Sequence, residues 1–85
     1  MKWRVTFLYQ HGKRAGGNQF TGCEFELVGG DFRQLIFYRD NKTVATLSYP
    51  EIRRSDSDCL EFTGCELGDD ERWYMQRVHL VPEAP

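Results

Sequence analysis

The pentapeptide Phe20-Thr-Gly-Cys-Glu24 recurs as Phe62-Thr-Gly-Cys-Glu66, 42 positions later in a chain of 85 residues. A phrase repeated at that distance in so short a chain predicts two similar halves, 1–42 and 43–81, within one domain spanning 1–85. The likeness continues weakly at the same offset, where Phe32 meets Tyr74, Gln34 meets Gln76 and Ile36 meets Val78. Apolar alternation breaks inside each copy. Leu60 and Phe62 share one parity, whereas Cys65 and Leu67 share the other; Phe20 likewise opposes Cys23, Phe25 and Leu27. A side chain changes face at every strand position, so one extra residue at Thr-Gly returns the apolar set to one side. A β-bulge supplies such a residue, and glycine often occupies it. Both phrases are therefore expected to be bulged strands, with Gly22 and Gly64 at the bulges and Cys23 and Cys65 turned into a shared core.

The rest of the chain reads as β. Six Phe, four Tyr and two Trp stand against only Ala15, Ala45 and Ala84, a balance that suits pleated surfaces better than helices. Strands are expected over Lys2–Gln10, Gln19–Val28, Phe32–Arg39, Thr43–Tyr49, Cys59–Leu67 and Arg72–Val81. Glycine-rich or acidic turns separate most of them. Pro50 is expected to end the fourth strand and to open one helical turn near 50–55. Residues 82–85 read as a loose tail. The predicted fold is all-β: one small barrel or sandwich of about six antiparallel strands, built from two similar three-stranded meanders.

Three cysteines cannot all pair within one chain, and no charged-then-apolar leader opens it. Both features predict a reducing, cytoplasmic setting. No run reaches the roughly 18 apolar residues of a membrane span. The thiols lack CxxC spacing, so buried structural cysteines are expected and no metal or other cofactor is. Asp69, Asp70 and Glu71 lack the alternating ligands of a calcium loop and read as a solvated turn. No nucleophile–base pair or paired-carboxylate signature emerges, so the chain is not expected to be an enzyme.

Net charge is −2, unevenly spread. Residues 1–50 hold seven basic and four acidic side chains (+3), and residues 51–85 hold four basic and nine acidic ones (−5). Charged surfaces of opposite sign steer a partner, and Arg, Tyr, Trp and Met are typical interface anchors. The leading expectation is a small non-enzymatic module acting through protein contact, of the kind found among phage-type inhibitors, immunity proteins and adaptors. Its contacts are expected at Lys13 and Arg14 in the long loop 11–18, at Arg53 and Arg54, and at Asp69 and Asp70. The alternative is a single-stranded nucleic-acid binder that uses the basic loops. An acidic net charge weighs against that alternative. Either a monomer or a homodimer suits both readings.

Overall fold

The computed structural model describes residues 1–9, 18–30 and 33–84. Six strands follow in chain order: β1 (Trp3–Phe7), β2 (Gln19–Val28), β3 (Gln34–Arg39), β4 (Lys42–Ser55), β5 (Leu60–Leu67) and β6 (Trp73–Pro82). Each pairs antiparallel with the next, and β1 pairs with β6, so the sheet closes into an all-β barrel. The described residues contain no helix, so none is long and apolar enough to cross a membrane.

Alternation fills the interior. Val5 and Phe7 from β1, Phe20 and Cys23 from β2, Leu35 and Phe37 from β3, Leu47 from β4, and Val78 and Leu80 from β6 form the buried core. Phe7 lies edge-on to Phe20 and Phe37, with ring centroids 6.3 and 5.6 Å apart. Trp3 packs similarly on Phe25 at 5.5 Å. Such pairs add to the roughly 1.5–3 kcal/mol that burial of each large apolar side chain contributes.

The two copies of Phe-Thr-Gly-Cys-Glu occupy β2 and β5, the middle strand of each meander, but they are not built alike. Opposite β1, Trp3 meets Cys23 and Val5 meets Phe20, so β2 carries the extra residue. Gly22 takes φ +65°, the left-handed region that glycine enters without a steric penalty. Phe20 and Cys23 are consequently both buried. The Gly22 N–H donates to the Glu83 carboxylate, and the Glu83 N–H donates to Lys2 O at 2.9 Å. Residues 82 and 83 are thus tied down, contrary to the expected loose tail: Pro82 ends β6 opposite Trp3.

The second copy corrects the bulge expectation. β5 runs in unbroken register with β6 from Leu60–Leu80 to Leu67–Trp73. Toward β4 the extra residue belongs to β4, because Ser48 meets Cys65 while Glu51 meets Thr63. Without a bulge in β5, Leu60, Phe62, Gly64 and Glu66 share the inward parity. Cys65 instead joins Met75 on the outer face and is half-buried. Gly64 serves for close approach: a Cβ there would lie 2.7 Å from both Leu47 Cγ and Ser48 O. The halves match through Glu24–Tyr38 and Glu66–Tyr74, so in the sheet Tyr74 stands where Tyr38 does; Phe32, its expected counterpart, lies outside the described residues.

The chain continues as strand where a helical turn is expected at 50–55. β4 passes through Pro50 to Ser55, with Pro50 inside the bulge between Ser48 and Glu51. A proline there avoids regular ladder positions, where a missing N–H would cost a bond.

Candidate functional site

β4 is the strand that turns the corner of the barrel. Its first half, through Ser48, pairs with β3, and its second half, from Ser48 on, pairs with β5. Ser48 belongs to both ladders. The next residue, Tyr49, has φ +52° and precedes Pro50. A bulky residue in the left-handed region is strained, and such strain concentrates at functional sites. Strands that change sheets through a bend of this kind make the corners of orthogonal packings.

The corner opens a cleft between β4 and β5. The Tyr49 N–H donates to Arg33 O at 2.8 Å. By antiparallel alternation Leu47 and Ala45 also bond β3, while Thr46 and Ser48 turn their main-chain groups toward β5. On the far bank the Gly68 N–H donates to Arg72 O at 2.8 Å. Even-numbered β5 residues therefore bond β6, and Cys65 and Leu67 turn theirs toward β4. Ser48 and Cys65 meet. Continuing that register would set Thr46 against Leu67, main chain to main chain, but the strands part there.

Between them lies a groove of about 340 Å³, with Val44, Ala45, Thr46 and Ser48 on one bank and Glu66, Leu67 and Trp73 on the other. It continues into a second hollow of about 330 Å³ lined by Arg33, Gln34, Ser48, Tyr49 and Trp73. Tyr49, Leu67, Trp73 and Met75 are all exposed, Trp73 at 58% and Met75 at 73%. They stand on or beside this groove, on the corner and on the outer face of the β5–β6 hairpin.

The far bank is held from inside. Gln76, 1% exposed, donates from Nε2 to Tyr9 O at 2.8 Å and to Glu66 Oε1 at 3.0 Å. Its Oε1 accepts from the amides of Tyr9 and Arg77. The hairpin turn is fixed by Asp70, which accepts from the Arg72 N–H at 3.1 Å and from the Tyr74 hydroxyl. The Tyr74 bond, with some help from that amide, holds the Asp70 carboxyl below its ordinary range. Trp73 thus projects from a hairpin anchored on both sides.

The residues singled out from sequence fall elsewhere. Lys13 and Arg14 lie outside the described residues. Arg53 and Arg54 sit near one end of β5 and Asp69 and Asp70 beyond the other, so the barrel does not bring them together. Arg53 Nη2 pairs with Glu51 at 2.9 Å, and its Nε donates to Thr63 Oγ1 at 2.9 Å. Arg54 pairs with Asp56 at 2.6 Å. Asp70 is a turn-former. Sequence reasoning missed Tyr49, Leu67, Trp73 and Met75, because β6 carries apolar residues on both faces, which conceals the outward one, and Leu67 shares the parity of Cys65, expected to face the core. The available signal was the company Trp73 and Met75 keep: Arg77 and His79 share their parity, and a charged face is an outward one.

The thiols are separated as well. Burial pushes the Cys23 thiol up, away from the reactive thiolate. Cys65 neighbours Ser48 and Met75 across the strands, while His79 pairs with Glu61 at 3.1 Å. Among the described residues no three His, Cys, Asp or Glu side chains converge on a common point. Comparisons with protein-family models, with curated proteins and with solved structures gave no match.

Proposed function

We propose that this protein is a non-enzymatic binding module that engages a protein partner at the groove beside the β4 corner. The observation that carries this reading is the cluster of exposed Tyr49, Leu67, Trp73 and Met75 around an open cleft in a small closed barrel. Aromatic and methionine side chains on a rigid support are what interface cores use. The main-chain groups of Thr46 and Leu67, directed into the cleft, add donors and acceptors for an extended segment. A barrel of this size would act by occupying its partner's surface, as an inhibitor, an immunity protein or an adaptor does.

The ion pairs favour protein contact over nucleic-acid contact. Lys2 pairs with Glu24, Arg53 with Glu51, Arg54 with Asp56 and Arg77 with Glu61. Phosphate binding would have to compete with each of these carboxylates, whereas nucleic-acid affinity rests on cations that neutralise phosphates.

The test is affinity capture from the native host with wild-type protein, Trp73→Ala and Lys2→Ala, alongside a single-stranded oligonucleotide titration at two salt concentrations. We expect a captured protein whose affinity falls by about 30-fold or more with Trp73→Ala, a hot-spot loss of about 2 kcal/mol, and is unchanged with Lys2→Ala. Micromolar oligonucleotide binding with a steep salt slope, and capture indifferent to Trp73, would overturn the reading.

A further inference from the structure

Among the described residues no strand pairs with the second half of β4 on its side away from β5. Past Ser48 β4 leaves β3, and among the described residues Glu51, Ile52, Arg54 and Ser55 pair with β5 alone, Arg53 being the extra residue of a second β4 bulge. All five are exposed, and Ile52 shows 56% of its surface. Odd-numbered residues of β5 turn their main-chain groups toward β4, so Thr63 bonds Glu51. Ile52 faces Phe62, which bonds β6. The Ile52 N–H and C=O are therefore turned away from β5, out of the barrel. An open edge with aligned donors and acceptors is a template for another strand.

The side chains along this edge specify which strand. Glu51-Ile52-Arg53 reads as its own complement when laid antiparallel on itself. With a two-fold axis beside Ile52, Ile52 faces Ile52 of a second copy and exchanges two N–H···O bonds with it. Glu51 of each chain then faces Arg53 of the other. Glu51 and Arg53 already lie on one face, where they pair at 2.9 Å within the chain, so the two chains would set four alternating charges side by side. Isologous contacts require this self-complementarity. Opposite charges directly across a strand pair stabilise it, and like charges weaken it. Pro50 has no N–H to extend the ladder and the bulge at Arg53 bends the strand beyond it, so the pairing is confined to Glu51–Arg53.

We propose that the protein self-associates into a two-fold dimer through antiparallel pairing of β4 at Glu51–Arg53, extending each barrel wall into the next. This surface is separate from the groove and does not depend on the groove's having a partner.

The experiment is analytical ultracentrifugation of the purified chain over a wide concentration range, for wild type, Glu51→Lys, Arg53→Glu and an equimolar mixture of the two variants. Wild type should show a reversible monomer–dimer equilibrium. Each single variant sets like charges opposite one another twice per dimer and should weaken association by about tenfold. The mixture should recover it. In the mixed dimer the introduced lysine of one chain faces the introduced glutamate of the other, and the remaining Arg53 faces the remaining Glu51. Recovery also shows that both variants are folded. Amide exchange supplies a second readout: the Ile52 N–H should become protected as protein concentration rises. A strictly monomeric wild type overturns the proposal. So does a dimer that survives both charge reversals, or one that is lost with Trp73→Ala but not with the β4 variants, which would place the contact at the groove.

Discussion

Gly22 and Gly64 occupy the same place in an identical five-residue phrase, yet they do different things. Gly22 takes a positive φ with open space where a Cβ would sit, its nearest neighbour being Arg39 Cδ at 3.8 Å. Gly64 has no such φ but backs onto Leu47 and the β4 main chain. Gly22→Ala should therefore cost about 1–2 kcal/mol, the strain of a left-handed alanine. Gly64→Ala should cost about 1–3 kcal/mol through overpacking against backbone that cannot move aside. Urea unfolding measures both. Replacement of Leu47 by a smaller residue should rescue part of the Gly64 loss and none of the Gly22 loss; equal rescue at both positions would refute the distinction. The phrase is legible as a structural device, and in β2 the bulge reading holds. It fails in β5 because a break in apolar parity also arises where a strand simply turns apolar residues outward, as β5 does with Cys65 and Leu67.

At the scale of the element, β4 decides the shape of the site. Pro50 hides its true length, since proline ends regular ladders but not bulges. Tyr49, immediately before it, combines strained backbone with an exposed ring on the groove. Replacing it by glycine removes a penalty of about 1–2 kcal/mol and adds about 0.5–1 kcal/mol of unfolded-chain entropy. Tyr49→Gly should thus keep its unfolding free energy within about 1 kcal/mol of wild type while partner capture falls sharply. Retained capture at full strength would mean that the ring plays no part in binding. The groove itself is not legible in the sequence, because it arises where β4 and β5 stop pairing, and that depends on the path of both strands.

Over the whole molecule, exposed carboxylates fasten successive hairpins. The Lys2 ammonium holds Glu24 below its ordinary value of 4.5 and joins β1 to β2. Arg54, followed by the Asp58 amide, holds Asp56 below 3.8 in the β4–β5 turn. The Tyr74 hydroxyl does the same for Asp70 in the β5–β6 turn. Each folded-state pKa lies below its unfolded value, so the stabilisation is fully present above the unfolded values. It is lost as pH falls through the folded ones. Melting temperature should be level from neutral pH to the ordinary carboxylate range and drop beneath it. Asp70→Asn should remove part of that acid-side drop, and an unchanged acid profile in this variant would count against the Tyr74 contact.

By itself the sequence determined the class, the number and order of strands, and the position of the repeated phrase in the middle of each meander. These follow from aromatic and β-branched content, from alternation and from turn residues, all of which act over a few positions. Only the tertiary structure decided which strand carries each bulge, which way Cys65 faces, and where the barrel wall parts. Those outcomes depend on register between strands distant in sequence. An extra residue within a strand turns every later side chain to the opposite face, so the same five residues bury a thiol in β2, which carries the bulge, and turn one outward beside Met75 in β5, which does not.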